Sequence, residues 1–131
     1  MSTLQVTTIQ SNSTTAPPAI QNSAGTEYGR FCRAFVNVNG STAAIRASFN
    51  VSSITKNGTG DFTVNFTTAL VDRNYSVIVG GNYGTGSGAY ADPNGIFAPY
   101  NQAPTASAVR LGTRSSSAFY DYEEINVAIF R

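Results

Sequence analysis

The sequence predicts an all-β protein, an antiparallel and jelly-roll-like β-sandwich over residues 28–131, with an extended N-terminal arm over residues 1–27. Several short segments alternate apolar and polar residues, a pattern typical of strands that bury one face. Residues that favour turns, mainly Gly, Asn, Asp and Ser, separate these segments. No window shows a sustained helical period, so helices are not expected.

The clearest strand pattern is a hairpin in the middle of the chain. Its second strand has a predicted buried face made of Phe62, Val64 and Phe66. The segment Lys56–Asp61, with two glycines, supplies the predicted turn. The first strand has a predicted buried face made of Ile45, Ala47, Phe49 and Val51.

Three further strands follow from apolar runs. Tyr75–Val79 is apolar on both faces and predicts a central strand. Ala106–Thr113 places Val109 and Leu111 on one face and Arg110 on the other. The last strand is predicted within Ala118–Phe130, where three apolar residues are in phase: Ile125, Val127 and Ile129.

The strand that begins at Cys32 carries apolar residues on both faces. Its predicted buried face consists of Cys32, Ala34, Val36 and Val38. Phe35 lies on the opposite face, which indicates either a second contact surface or an outer face that the fold covers. Phe35 and Phe130 are the apolar residues expected to face outward, and they are therefore the candidate residues of a subunit interface.

Residues 1–27 differ in composition from the rest of the chain. Leu4, Val6 and Ile9 form a short apolar patch, and Ser, Thr and Asn residues with a Pro17-Pro18 pair follow it. Such a segment cannot bury enough apolar area to fold alone. It is either a frayed terminus or an arm that becomes ordered against a partner, in which case Leu4, Val6 and Ile9 are the candidate attachment residues.

The segment Gly80–Thr105 is rich in Gly and Pro and predicts a long loop. Aromatic rings on such loops contact sugars or proteins in many binding proteins, because they offer a large area at low entropic cost. Alternatively, Ile96 and Phe97 form a short strand and the tyrosines pack onto the sheet. The candidate contact residues of this loop are Tyr83, Tyr90, Phe97 and Tyr100.

The composition limits the classes of partner. Charged residues make up 11% of the chain and the net charge is +1, whereas an ordinary globular protein has about 25% charged residues. No basic cluster suggests nucleic-acid binding, and no apolar run suggests a membrane span. Residues after Met1 are polar, without an export pattern, which predicts synthesis in a cytosol.

Residues that could carry catalysis are few. The chain has no His, so His-dependent triads are excluded and the commonest metal ligand is missing. Cys32 is expected to be a buried small residue. Asp121, Glu123 and Glu124, beside Tyr120 and Tyr122, could form a carboxylate pair, but a solvated strand end or an ion pair with Arg114 or Arg131 is the favoured interpretation. We therefore expect no enzyme activity, no cofactor and no metal site.

The wording NVSSITKNGTGDFTVNFTTAL, followed by Asn74-Tyr75, resembles a module that recurs in tail fibres of bacteriophages, notably phages of marine bacteria and cyanobacteria. The opening STLQVTTIQSNSTTAPPAI is similar to the start of short phage fibre proteins. The resemblance covers most of residues 1–79 and fades after Gly80. It implies a homotrimeric virion protein that binds rather than catalyses.

These expectations lead to one principal hypothesis and two alternatives. The principal hypothesis is a tail-fibre-like virion subunit that attaches through residues 1–27, contacts other virion proteins and presents the β-sandwich to the host surface, where a glycan is a candidate receptor. The first alternative is a capsid decoration or structural fibre protein that contacts no receptor. The second is a free carbohydrate-binding module, which would be monomeric.

Overall fold

The computed structural model describes residues 5–11, 18, 20–84, 95–115 and 118–131. The chain divides into two compact units, Met1–Phe31 and Cys32–Arg131. None of the described residues belongs to a helix long and apolar enough to cross a membrane.

The first unit contains a short antiparallel pair, β1 (Ile20–Gln21) and β2 (Glu27–Gly29). Asn22 stabilises their connection, because its side-chain oxygen accepts hydrogen bonds from the backbone N–H groups of Ala24 and Thr26 at 3.0 and 2.8 Å. A hairpin therefore interrupts the expected extended arm.

The second unit is an antiparallel β-sandwich, which confirms the predicted fold class. Sheet 1 has the strand order β4-β3-β10-β7 and sheet 2 has the order β5-β6-β9-β8, and neighbouring strands run antiparallel in both. The strand bounds are β3 (Cys32–Asn39), β4 (Ala44–Phe49), β5 (Val51–Gly58), β6 (Asp61–Phe66), β7 (Ser76–Asn82), β8 (Ile96–Phe97), β9 (Ala108–Thr113) and β10 (Glu124–Phe130).

The inward-facing residues of the two sheets form one core, as the alternating pattern predicts. Burial of each Val, Leu, Ile or Phe side chain in this core contributes roughly 1.5–3 kcal/mol. Sheet 1 contributes Ala34, Val36, Val38, Ile125, Val127 and Ile129. Sheet 2 contributes Val51, Phe62, Val64, Phe66, Val109 and Leu111.

The strand predicted over residues 45–52 is wrong, because two strands in different sheets occupy this segment. β4 ends at Phe49 and β5 begins at Val51. Asn50 between them has a left-handed φ of 54°, which Asn tolerates better than most residues. Its side chain donates to the carbonyls of Arg33 and Thr68 and accepts from the Thr68 N–H, so the corner is held on both sides.

The residues of the predicted buried face therefore differ in burial. Val51 is buried in sheet 2, whereas Ile45, Ala47 and Phe49 are exposed in β4. The left-handed residue interrupts the alternation, so residues on either side of Asn50 no longer share a face.

The hairpin turn is also shorter than predicted. β5 continues to Gly58 and β6 begins at Asp61, so that only Thr59 and Gly60 connect the strands. Lys56 therefore lies in β5 and not in the turn. Cross-strand pairing continues to Gly58 and Asp61. Residues that were expected to form the turn therefore belong to the two strands.

The prediction that Tyr75–Val79 forms a central strand is wrong, because β7 is an edge strand of sheet 1. Its two faces also differ, since Val77 and Val79 contact the core and Ile78 is exposed. Both later strands are shorter than predicted: β9 begins at Ala108 and β10 at Glu124.

Tyr75, just before β7, has a partly buried hydroxyl. This hydroxyl lies 3.0 Å from the carbonyl oxygens of both Thr105 and Ala108 and can donate to either. The ring packs edge-on against Phe66, with the centroids 5.8 Å apart. Burial raises the pKa of Tyr75 from its ordinary value near 10 to about 12, because the phenolate would lose hydration.

We expect the protein to lose stability between about pH 10 and about pH 12, where Tyr75 ionises in the unfolded chain before the folded one. A raised folded pKa gives a contribution that is complete below the unfolded pKa and lost above the folded pKa. Tyr75→Phe should cost about 1 kcal/mol near neutral pH, and the stability advantage of the wild type over this variant should fall through the interval and change sign near its upper end. Urea unfolding at several pH values measures both, and a difference independent of pH would contradict the assignment.

Candidate functional site

The outer face of sheet 1 carries a row of apolar side chains that crosses all four strands. The backbone registers align Phe49, Phe35, Ala128 and Ile78 in this order. Phe35, Phe49 and Ile78 are 42%, 55% and 59% exposed, and the rings of Phe35 and Phe49 are stacked with centroids 6.3 Å apart. We call these four residues the apolar row.

The next row along the same face is polar but uncharged. It contains Ala47, Asn37, Asn126 and Gly80. The amide of Asn37 donates to the side-chain oxygen of Asn126 at 2.6 Å. Beyond this row, the Glu124 carboxylate accepts from the amides of Asn37 and Asn126 at 3.3 and 3.0 Å. The centre of the face is therefore electrically neutral.

A groove of about 460 Å³ runs over this face. Phe35 and Ile78 line it together with the small residues Ala128 and Gly80, which leave space between the larger side chains. Phe130, two residues after Ala128 on β10, lies on the same face and is half-buried. The structure thus places Phe35 and Phe130, the two candidate interface residues, on one face.

Tyr83 follows β7 and packs on residues from a distant part of the chain. Its ring stacks on that of Tyr120, with a centroid distance of 4.2 Å and an interplanar angle of 21°. It also meets the buried Tyr122 edge-on at 6.0 Å. Tyr83 and Tyr120 are 36% and 41% exposed, and we call this pair the tyrosine stack.

Phe97 and Tyr100 belong to a second aromatic group on the outer face of sheet 2. Phe97 in β8 pairs with Gly112 in β9. The ring centroid of Tyr100 lies 5.2 Å from the ring centroid of Phe97 and 5.2 Å from that of Phe119. A Cβ atom on Gly112 would lie 2.6 Å from the Phe97 ring, so the rings rest directly on the β9 backbone. We call Phe97, Tyr100 and Phe119 the aromatic cover.

An ion pair borders the aromatic cover. Arg110 donates from Nε and Nη2, along one edge of its guanidinium, to the two carboxylate oxygens of Asp61, with an Nε–Oδ1 distance of 2.7 Å. Its guanidinium carbon lies 5.9 Å from the Tyr100 ring centroid. The Arg110 hydrogen bond, with help from Asn57, lowers the pKa of Asp61 below its ordinary value against the opposing effect of burial. Asp61 is therefore a carboxylate over the physiological pH range.

The carboxylates considered for catalysis all accept hydrogen bonds from the fold. Asp121 accepts hydrogen bonds from the Lys56 ammonium at 2.6 Å and from the Gly60 N–H at 2.8 Å, so its ionic partner is Lys56 and not Arg114 or Arg131, the partners in one of the two alternatives favoured for this cluster. Glu123 accepts from Asn39 and Ser41 at 3.3 and 3.2 Å. Arg131 pairs instead with Asp72, which lowers the pKa of Asp72 to about 2.

The contact between Lys56 and Asp121 holds two parts of the fold together. Lys56 also donates to the carbonyls of Gly40 and Ser41, so Lys56 and Asp121 connect the β3–β4 turn to the β5–β6 hairpin.

Cys32 is half-buried rather than buried, and its thiol lies 3.1 Å from the Ala34 carbonyl. Within the described ranges, no three Cys, Asp or Glu side chains cluster closely enough to hold a metal ion.

The remaining predicted residues separate into two groups. Leu4 and Tyr90 lie outside the described residues. Val6 and Ile9 are exposed, as an attachment segment requires. Sequence reasoning missed Phe119, which belongs to the Phe-Tyr-Asp-Tyr run at 119–122. The aromatic density of this run was the available signal.

Comparison of the chain with protein-family models, with curated proteins and with solved structures finds no match.

Proposed function

We propose that this chain is a structural virion protein of a bacteriophage, a tail-fibre-like subunit that attaches through residues 1–27 and presents its β-sandwich for binding at the host surface. The sequence resemblance over residues 1–79 supports the virion setting. The apolar row on sheet 1 is the observation that carries the proposal, because it suits a subunit that buries this face in an assembly.

Large exposed apolar patches are uncommon on monomeric proteins and often mark interfaces. The apolar row also extends to β7, an edge strand of sheet 1. An exposed edge beside exposed apolar side chains is a liability unless another chain covers it. Coverage by other copies of this chain explains both features.

The neutral charge of the face favours a copy of the same chain as its partner. The apolar row and the amide row next to it contain no charged residue, and the Glu124 carboxylate at their border accepts from two amides, so copies of this face can contact one another around an axis at little electrostatic cost. The stacked Phe35–Phe49 pair forms a ridge, and the groove beside Ile78 offers a complementary depression. The resemblance implies that three copies assemble.

The size of the face predicts how tightly the copies associate. Four strands about 4.8 Å apart and about six residues long give a flat area of roughly 400 Å². A stable pair of proteins buries about 800 Å² on each side. We therefore propose that association through this face is weak, in the micromolar range.

Sedimentation equilibrium tests this assembly. The wild-type protein should approach three times the chain mass of 13.8 kDa as its concentration rises. Phe35→Ser and Ile78→Ser should each raise the dissociation constant at least about tenfold, because each removes an apolar contact of roughly 1.5–3 kcal/mol. Val71→Ser is the matched control, since Val71 is 76% exposed but lies between β6 and β7.

Two results would contradict this proposal. One is a wild-type monomer at every concentration, which would favour a free carbohydrate-binding module. The other is an equal effect of the Val71 and Ile78 substitutions. Antibody labelling of intact particles in the electron microscope then locates the protein: label on the tail supports a fibre subunit, and label on the head supports a decoration protein without receptor contact.

A further inference from the structure

We infer that the aromatic cover on sheet 2, together with the Asp61–Arg110 pair, is a binding site for a neutral carbohydrate. This inference rests on the proposed function only for its biological setting, a host-surface glycan. The site belongs to the isolated sandwich and does not use the apolar row of sheet 1.

The chemistry of the site suits a sugar ring. A sugar ring has an apolar face of C–H groups and an edge of hydroxyl groups. An aromatic ring with planar polar side chains beside it suits both parts. Phe119 offers the exposed ring, and Tyr100 connects it to the Asp61–Arg110 pair. The Asp61 and Arg110 side chains are 16% and 22% exposed, so both are partly accessible to a ligand that carries hydroxyl groups.

The site is also rigid, and a site fixed before binding loses little entropy when it binds. Phe119 is held by its backbone bridge to Arg114. Tyr100 is held by a 2.9 Å hydrogen bond from its N–H to the Arg110 carbonyl. Gly112 lets the Phe97 and Tyr100 rings lie directly on β9. The backbone thus sets the positions of all three rings.

The exposed area of the aromatic cover matches a small ligand. A large aromatic side chain has roughly 200 Å² of surface. Phe119, at 39% exposure, together with half-buried Phe97 and Tyr100, therefore offers on the order of 150 Å². A protein partner needs about 800 Å² on each side. The aromatic cover is too small for such an interface and matches one or two sugar rings.

The charge of the polar edge formed by Asp61 and Arg110 favours a neutral sugar. Asp61 and Arg110 neutralise each other, so the polar edge beside Tyr100 has no net charge to select an acidic sugar. Arg114, exposed at the position that pairs with Phe119, is the nearby cation along the chain. An acidic glycan would depend on Arg114, whereas a neutral glycan would not. This difference separates the two ligand classes by a single substitution.

Saturation-transfer NMR on the purified protein tests the inference. The probes are neutral oligosaccharides of glucose, galactose, mannose and N-acetylglucosamine, with oligogalacturonate as the acidic probe, each at a concentration on the order of 10 mM. At least one neutral probe should bind. Phe119→Ala should weaken that binding by about tenfold or more, and Phe119→Tyr should retain it. Melting temperatures of both variants establish that the sandwich is folded.

Matched controls locate the site. Tyr83→Ala removes a similarly exposed ring from the tyrosine stack and should leave binding unchanged, as should Arg114→Gln for a neutral probe. The inference is overturned if no neutral probe binds, if Tyr83→Ala abolishes binding while Phe119→Ala does not, or if only oligogalacturonate binds and Arg114→Gln removes it. Sedimentation of the same samples keeps this outcome separate from the assembly test.

Discussion

Gly60→Ala is expected to destabilise the protein by about 3–5 kcal/mol. Gly60 in the β5–β6 turn has a left-handed φ of 64°, which costs an L-residue roughly 1–2 kcal/mol. A Cβ atom there would lie 2.3 Å from the Thr113 carbonyl oxygen and 2.8 Å from the Tyr120 nitrogen. Both are backbone atoms, so the overlap is relieved only if the hairpin separates from β9 and from the 118–122 segment.

That separation would also break hydrogen bonds at the hairpin. The Gly60 N–H donates to Asp121 and the Gly60 carbonyl accepts from Thr113, each at 2.8 Å. Gly58→Ala is the matched control, because a Cβ atom on Gly58 meets nothing within 4 Å and should change stability by no more than about 0.5 kcal/mol. Urea unfolding of the two variants would contradict this account if they proved equally stable.

The strands that could be predicted are those whose alternation is uninterrupted. Phe62, Val64 and Phe66 are buried because a period of two residues determines which side chains share a face. The same reasoning fails at Asn50, since no Gly or Pro marks the corner. Whether Asn adopts a left-handed conformation depends on the hydrogen bonds that Arg33 and Thr68 offer, and these residues are distant in sequence.

The candidate sites depend even more on long-range pairing. Phe35 can be assigned to an outer face from its own strand. Phe49 and Ile78 join it only because β4 and β7 lie at opposite edges of sheet 1, which local patterns do not specify. Similarly, Phe97 and Tyr100 stand out as aromatic residues in a Gly-rich segment, but their contact with Phe119 follows from the pairing of Phe119 with Arg114.

Two phenylalanines that the sequence pattern treats alike should therefore respond differently to the same substitution. Phe62 is 1% exposed in the core of sheet 2, and Phe62→Ala should cost about 3–5 kcal/mol because it removes apolar contacts and leaves a cavity. Phe49→Ala should change the stability of dilute protein by about 0.5 kcal/mol or less, because Phe49 lies on the outer face of β4 and contacts Phe35 there.

The concentration dependence of this pair connects stability to assembly. Subunit association stabilises the folded state by mass action, so Phe49→Ala should lower the melting temperature of concentrated protein while leaving that of dilute protein nearly unchanged. Phe62→Ala should lower both equally, because its cost lies within one chain. A large effect of Phe49→Ala in dilute protein would mean that the outer face of sheet 1 stabilises the single chain, and the apolar row would then lose its assignment as an assembly surface.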